Sequence, residues 1–450
     1  MAAEEYWLQR NIDNEEAMHR KLDGKERVIL NAYQQSQDYL NKQIKRIYDR
    51  YLNRSGLDEE EVSKILNTSA APADLAELGR LSKDIKDKSI KKDVTNYLTG
   101  LSVKHRITLL EDLKAKSYIV AKQIADVQLE VQTDFYIDTI HESYNEAANE
   151  AIIGQTEKKI TITNKQYPKF VSSRSQDKLE IRDTNTDKII KTVNLSPDVK
   201  VPDFKELSTK YVKNILESDW KGSNYSKRLW DDTELLAKRL EELFTVKNLT
   251  GMSEAEMTKT LAKEFNTSMY VARRLIRTES NYMAGQAKLK GWKEHGVDEY
   301  ILIAVLDFRT SKICREMDGK VFKVEEAQVG VNYPVFHPFC RTIPAAYFGK
   351  RTLNGKRIAI DRITGKEMNI TQKTNYTDWE KMLIEKHGQR NVDVARKKAK
   401  NFNNDSKQFR RYKNTLDENE LPKTLDDFQD KKYTDPDWWE EIKSKYLNKR

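Results

Sequence analysis

The chain has 450 residues, 38% of them hydrophobic and 34% charged, which is polar for a compact enzyme and ordinary for a protein rich in exposed helices. This length allows two to four domains, and the scarcity of glycine (16) and proline (9) argues against long disordered linkers. The net charge of +9, from 80 Lys and Arg against 71 Asp and Glu, fits either a mixed-sign surface or contact with a polyanion, and only clustering of the cations distinguishes the two.

Cysteine content and apolar runs exclude two classes of protein. Cys314 and Cys340 are too few for a secreted disulfide scaffold, so we expect synthesis in a reducing cytosol. The polar N-terminus has no apolar signal-peptide core. No run of about 18 apolar residues is present, so no membrane contact is expected.

Residues 1–154 are predicted to form a long helical bundle. Apolar residues recur at helical spacing, and the pattern after Lys104 continues without proline or glycine up to Gly154. Leu113, Val120 and Val127 are seven residues apart within it. This short heptad seam is typical of an intramolecular bundle or a subunit contact.

Residues 155–200 are predicted to form a small β-hairpin insertion. Polar and apolar residues alternate at Lys159–Thr163, Lys178–Ile181 and Ile189–Val193, and Asn185-Thr186 is typical of a turn. A protruding hairpin suits either contact with a partner or a local platform.

Residues 201–350 are predicted to be a compact α+β domain. A helical pattern runs from Asp203 to His295, with a capping box at Ser253 and Glu256. The β-branched run Tyr300–Leu306 predicts a buried strand, and Val321-Phe322 a short one. Pro334, Pro338 and Pro344 predict loops after that. The overall fold class is therefore predicted to be α+β and predominantly helical.

Three groups of polar residues stand close together in this domain. They are Arg277-Thr278-Glu279 on a helix, then Asp307-Phe308-Arg309-Thr310 with Cys314 and Asp318-Gly319, and finally His337-Pro338-Phe339-Cys340-Arg341. Together with Gly296-Val297 before the strand, this order closely resembles the core pattern of the phage Mu F-like head morphogenesis family. The upstream stretch Tyr225–Trp230 resembles the lead-in of that family, so the resemblance covers roughly residues 205–348.

This resemblance implies a minor head protein of a tailed bacteriophage. Such a protein is expected inside the capsid near the portal vertex, after assembly in the host cytoplasm, and acts in head morphogenesis and in DNA packaging or delivery. The implied partners are the portal protein, double-stranded phage DNA, and also scaffold and major capsid proteins. The helices of residues 1–154 are then expected to contact portal or capsid. No small-molecule substrate and no enzymatic activity are expected.

Cys314, His337 and Cys340 are candidate metal ligands. Two sulfurs and an imidazole are suited to a tetrahedral zinc site, with His295, Asp307 or water as the fourth ligand. The alternative, which we favour on the sequence, is that the cysteines are small buried apolar residues and His337 makes a structural hydrogen bond. We therefore expect no resident cofactor.

The charged residues of the motif admit two interpretations. Arg277, Glu279, Asp307, Arg309 and Arg341 are predicted to form one buried ion-pair network that joins helix, strand and closing loop. The alternative is a metal-dependent nuclease or toxin-like enzyme, with Glu279 or Asp307 as base and His337 as acid. The chain contains no nuclease signature and no glycine-rich phosphate loop, which favours the structural interpretation.

Residues 351–450 are predicted to be a basic helical tail that begins with a short strand at Arg357–Asp361. Phe402, Phe409 and Tyr412 are interleaved with the cations, a pattern typical of sequence-independent contact with nucleic acid. The alternative is a solvated helix whose aromatics pack on the body; the tandem Trp438-Trp439 is expected to dock on the body or on a neighbour. The candidate DNA-binding residues are Lys386, Arg390, Arg396, Lys397, Lys398, Lys400, Lys407, Arg410, Arg411 and Lys413.

The basic tail is also consistent with a third hypothesis. In this hypothesis the chain is a host DNA-packaging or chromatin-like protein without a role in virions. Presence in purified phage particles distinguishes a head protein from this alternative. Retained metal and cleavage of nucleic acid distinguish the enzyme from both.

Overall fold

Long α-helices account for most of the chain. The computed structural model describes residues 3–52, 58–104, 106–154, 170–175, 178–183, 189–194, 207–349, 356–371, 373–417 and 419–449. Helices dominate these residues, and their strands form small antiparallel sheets, so the predicted α+β, predominantly helical class is confirmed. Among the described helices, none combines the length and the apolar character needed to cross a membrane.

The N-terminal part consists of helices, as predicted. They are α1 (Ala3–Ile47, continued by a π-helical turn at Tyr48–Leu52), α2 (Glu59–Leu66), α3 (Pro72–Lys83), α4 (Lys88–Ser102) and α5 (Leu109–Gly154). Leu113, Val120 and Ile124 of α5 are buried in the main hydrophobic core, whereas Val127 is half-buried. Because α5 packs on α1, α3 and later helices of the same chain, the heptad seam is an intramolecular contact.

The described residues of the insertion form three strands, where the sequence predicted a hairpin. Its strands are β1 (Phe170–Ser175), β2 (Lys178–Asp183) and β3 (Ile189–Asn194), paired antiparallel in the order β1-β2-β3. Strands β2 and β3 are the two predicted last. Strand β1 has three serines among its six residues and lacks the alternation that reveals a strand. The predicted strand at 159–163 and the turn at 185–186 lie outside the described residues.

A second group of helices packs against α5. It comprises α6 (Thr209–Leu216), α7 (Tyr225–Leu243), α8 (Val246–Gly251) and α9 (Glu254–Glu294). The predicted capping box at the start of α9 is confirmed, since the Ser253 amide donates to Glu256 (2.9 Å) and the Glu256 amide donates to the Ser253 hydroxyl (3.3 Å). Helix α9 contacts α1, α5 and α7, so it joins the motif region to the bundle.

Helices α5 and α9 approach closely at Gly291. A Cβ atom at this position would lie 2.7 Å from the Cβ of Ala147 and 3.0 Å from the carbonyl oxygen of Tyr144, so only glycine fits without a shift of the helices. The next residue, Trp292, is fully buried and donates its indole N–H to Glu150 (3.1 Å). This contact anchors the end of α9 that leads into the motif sheet.

The motif sheet has three antiparallel strands with the predicted apolar strand in the middle. Strand β4 (Glu299–Ile303) lies between β5 (Val321–Lys323) and β6 (Ile343–Tyr347), and the short helix α10 (Lys312–Met317) precedes β5. The prediction that the segment around Pro344 is a loop was wrong. Strand β6 is at the sheet edge, where a residue without an N–H is tolerated, and Pro344 pairs with Leu302.

The C-terminal part begins with a β-hairpin and ends in helices. Strand β7 (Lys356–Ile360) is the predicted short strand, and β8 (Glu367–Thr371) pairs with it. The helices are α11 (Tyr376–His387), α12 (Gln389–Lys413), α13 (Leu425–Thr434) and α14 (Pro436–Asn448). Trp438 and Trp439 pack with Tyr412 of α12 and Phe428 of α13 in a small core, so the tandem tryptophans dock within the C-terminal part itself.

Candidate functional site

A tight turn presents His337 and Cys340 on the same side of the closing loop. The Cys340 amide donates to the His337 carbonyl oxygen (3.1 Å), which closes a four-residue turn. Pro338 occupies its second position, and Phe339 at its third position has a φ of 59°. A positive φ at the third position is the requirement of a type II turn. Phe339 is therefore held in a left-handed conformation that glycine usually adopts, and its amide donates to the Thr278 hydroxyl (3.3 Å).

Helix α10 places Cys314 against this turn. The Ser311 hydroxyl caps the helix by accepting from the Cys314 amide (3.3 Å). The Cys314 sulfur lies 3.1 Å from His337 Nε2 and 3.8 Å from the Cys340 sulfur. The structure thus brings the three predicted metal-ligand candidates together, and both cysteines are free thiols buried in the protein.

The two thiols are electrostatically different. A hydrogen bond from Cys340 lowers the pKa of Cys314 to about 6, although burial opposes this change. The same hydrogen bond, together with burial, raises the pKa of Cys340 above its ordinary value. Cys314 is therefore the more acidic thiol of the pair, and Cys340 is the donor in their hydrogen bond.

The side chains predicted as a fourth ligand have other partners. Asp307 accepts two hydrogen bonds from Arg341, and His295 Nδ1 lies 2.7 Å from the Gly291 carbonyl oxygen at the end of α9. Among the described residues, the metal-ligand cluster contains only Cys314, His337 and Cys340.

Asp307 and Arg341 form the predicted ion pair between the end of β4 and the closing loop. Arg341 contacts both carboxylate oxygens, at 2.6 and 2.8 Å. Asp307 also accepts from the Arg309 amide (2.9 Å) and from the Thr310 hydroxyl (3.1 Å). Burial raises the pKa of Asp307, but the hydrogen bonds and charge of Arg341 outweigh burial and hold it below its usual value. With these partners the Asp307 carboxylate joins two segments of the chain. Because its pKa is lowered, it is a poor general base.

The other charged residues of the motif do not join this pair, so the prediction of one network was wrong. Arg277 pairs with Glu26 (2.7 Å) and Asp23 of α1, and Glu279 pairs with Arg228 of α7. The Arg309 side chain is exposed. The motif residues instead form separate contacts, each to a different element, because neighbouring positions on one helix point in different directions.

Asp318 and Gly319 shape the start of β5. Asp318 accepts from the Ala304 amide (2.6 Å) just beyond β4. Gly319 has a φ of +80°, which favours glycine, and its amide donates to the Leu302 carbonyl oxygen (2.7 Å). These contacts fix the chain between α10 and β5, and thereby the position of Cys314.

The candidate DNA-binding cations divide into two groups. Four of them contact protein acceptors: Lys386 contacts Asp361, Arg390 contacts the Thr434 carbonyl oxygen, Arg396 contacts Glu380 and Asp393, and Lys398 contacts Asp426 and Asp430. The remaining six are exposed on α12 and form no ion pair within the described part of the chain: Lys397, Lys400, Lys407, Arg410, Arg411 and Lys413. Phe409 and Tyr412 belong to the C-terminal core and are unavailable for stacking on bases, whereas Phe402 is exposed.

A comparison with protein families finds one family that matches the region of the motif. Residues 244–344 match the family described as Phage Mu protein F like protein. The match contains α9 with Arg277-Thr278-Glu279, β4, α10 and the turn from His337 to Cys340. Residues 244–344 are a phage Mu F-like domain. The predicted resemblance is confirmed for this segment.

A second comparison finds a curated protein with a partial likeness. A NAD(+)–arginine ADP-ribosyltransferase of Enterococcus faecalis is 28% identical to this chain over 120 residues, which is 26% of this chain and 25% of that protein. The chain thus spans about a quarter of the length of this relative. No solved structure matches the chain.

Two arginines outside the Mu F-like domain complete its buried contacts. Arg228 donates to Glu279, and it lies in the Tyr225–Trp230 stretch that the sequence pattern had singled out. Arg357 of β7 donates to Asp318 (3.2 Å), and both side chains are buried. For Arg357 the sequence predicted only a strand. No local pattern indicates which distant carboxylate a strand residue meets.

Proposed function

We propose that this protein is a minor head protein of a tailed bacteriophage, which acts in head morphogenesis at the portal vertex and in DNA packaging or delivery. The match of residues 244–344 to the phage Mu F-like family carries this proposal. The engagement of Asp307 and Glu279 by arginines supports a structural role for the domain over a nuclease. The likeness to the enterococcal relative spans about a quarter of each chain and does not extend its named activity to this chain.

The proposal is tested with purified particles of a phage that encodes this chain. We expect mass spectrometry of gradient-purified virions to detect the protein together with the portal protein. A phage that lacks the gene should regain plaque formation when the intact chain, or the surface variant Arg309→Ala, is supplied from a plasmid. Absence of the protein from infectious particles, or full infectivity without its gene, would overturn the proposal.

The DNA contact is proposed for one face of α12. Lys397, Lys400, Lys407 and Arg411 recur at intervals of three, seven and four residues, so they share one side of the helix over about 20 Å. Their charges are exposed and form no ion pair among the described residues. Such a row of cations can neutralise successive phosphates without reading bases, because a phosphate contact carries no sequence information.

Replacement of these four residues by glutamine is expected to weaken DNA binding strongly. Each lost phosphate contact lowers the dependence of log K on log salt by about 0.9, so the slope should fall by about 3 to 4 units. At low salt we expect a loss of affinity of roughly 100-fold, equal for unrelated DNA sequences. Filter binding or fluorescence anisotropy at several salt concentrations measures both quantities.

A matched control removes four positive charges elsewhere. Lys42, Lys45, Lys91 and Lys92 are exposed on α1 and α4 and form no ion pair among the described residues. Their replacement by glutamine changes the net charge equally and should leave most of the affinity and slope intact. If the two quadruple variants lose affinity to the same extent, or if the α12 variant binds like the unmodified chain, the α12 interface is wrong.

A further inference from the structure

The sulfurs of Cys314 and Cys340 are separated by the distance that one zinc ion requires. They lie 3.8 Å apart, and two thiolates at about 2.3 Å from a tetrahedral zinc ion are also about 3.8 Å apart. All ligand atoms of Cys314, His337 and Cys340 lie within 4.8 Å of one another. The sulfur pair therefore needs no rearrangement to hold a metal ion.

His337 is oriented by a partner that selects its tautomer. Its Nδ1 lies 2.7 Å from the Pro338 carbonyl oxygen, which can only accept, so Nδ1 carries the proton. This leaves the lone pair of Nε2 directed at the cluster, 3.1 Å from the Cys314 sulfur. Histidine ligands of metals ordinarily donate their second ring N–H to an oxygen in this manner. A zinc ion would place the sulfur and the nitrogen about 3.6 Å apart, so the half-buried ring would move out by about 0.5 Å.

We propose that Cys314, His337 and Cys340 bind one Zn²⁺ ion, with an oxygen of water or of the Ser311 hydroxyl as the fourth ligand. Ser311 Oγ lies 2.8 Å from His337 Nε2, so a hydroxyl oxygen is present beside the cluster. Two thiolates and one imidazole are soft ligands that select zinc over magnesium or calcium. Two thiolates also balance the charge of the ion, so the buried site gains no net charge.

The metal would join two segments that the chain separates by about 23 residues, α10 and the turn of the closing loop. The turn has no strand or helix of its own, and Phe339 within it is held at a positive φ. A zinc ion bound to both segments would stabilise this conformation, since metal binding to a folded site contributes directly to folding. This role is independent of the proposed function in phage heads.

The test uses the full chain, produced with zinc in the medium and desalted under reducing conditions. Elemental analysis should find about one zinc ion per chain. Replacement of zinc by cobalt should produce the sulfur-to-cobalt charge-transfer absorption of a thiolate-bound tetrahedral ion. The double variant Cys314→Ser and Cys340→Ser should retain less than about a tenth of the metal. The control His141→Ala, an exposed histidine of α5, should retain all of it.

The cobalt spectrum of the unmodified chain keeps the test valid if the double variant fails to fold. Zinc content below about a tenth of an equivalent, together with no thiolate band after cobalt addition, would overturn the proposal. Cobalt absorption without a thiolate band would overturn it as well, because the ion would then lie elsewhere. A chain mass lower by two hydrogens, which shows a Cys314–Cys340 disulfide that persists under these reducing conditions, would have the same consequence.

Discussion

Replacement of Arg341 by methionine is expected to lower the free energy of unfolding of the Mu F-like domain by about 3 kcal/mol. The substitution keeps most of the side-chain volume and removes both hydrogen bonds to Asp307, whose side chain is only 8% exposed. The carboxylate then stays buried with the Arg309 amide and the Thr310 hydroxyl as its remaining donors. We place the loss at the lower end of the range for a broken buried pair because these two donors remain and Arg341 is partly exposed.

The effect of Arg341→Met should depend on pH in one direction. Because Asp307 has a pKa below its usual value in the folded protein, the pair contributes stability that is fully present above the unfolded pKa, near 4. That contribution disappears as the pH falls below about 4 toward the folded pKa, where the carboxylate takes up a proton. Urea denaturation at pH 7 and at decreasing acidic pH should therefore show the two proteins converging in acid.

Arg309 provides the matched control, since it belongs to the same motif and its side chain is exposed. Arg309→Ala should change the free energy of unfolding by less than about 0.5 kcal/mol. Equal losses for Arg341→Met and Arg309→Ala, or a gap between Arg341→Met and the unmodified chain that does not narrow in acid, would contradict the assignment of Asp307 and Arg341 as a buried brace.

Replacement of Arg357 by leucine is expected to have a larger effect, about 4 kcal/mol. Arg357 and Asp318 are 7% and 1% exposed, so the substitution leaves a fully buried carboxylate without its cation. It also removes donors from the Ala304 and Thr374 carbonyl oxygens. Because these contacts attach the β7–β8 hairpin to the Mu F-like domain, amide hydrogen exchange should quicken in β4, β5 and the hairpin before it does in the N-terminal bundle.

Two further variants decide whether the buried charge causes this loss. Asp318→Asn added to Arg357→Leu removes the unpaired buried charge and retains an acceptor for the Ala304 amide. The double variant should therefore regain part of the lost free energy of unfolding. Lys366→Ala at the exposed tip of the same hairpin should have almost no effect. Additive losses for Asp318→Asn and Arg357→Leu would show that the two side chains do not interact as the structure indicates.

Local sequence patterns predicted most helices and strands and part of the contacts within the motif, whereas β1, β8 and the strand at Pro344 were missed. The helical periodicity predicted the long helices, and the apolar run at Tyr300 predicted the middle strand of the motif sheet. The residues of two contact groups lie within about 35 positions of each other around one strand. These groups are Cys314, His337 and Cys340, and the pair Asp307 and Arg341. Such short loops limit how far apart these side chains can be. Their proximity could therefore be predicted from their positions in the sequence and their residue types.

The contacts between distant parts of the chain were decided by tertiary packing. Glu279 meets Arg228, Arg277 meets Glu26, and Asp318 meets Arg357, because each motif residue faces a different neighbouring element. In α11 and α12 the sequence showed ten candidate cations, but the folded chain determined that four of them contact protein acceptors and six stay exposed. Composition and periodicity determine which side of a helix is apolar or charged; which partner covers that side depends on how whole elements pack.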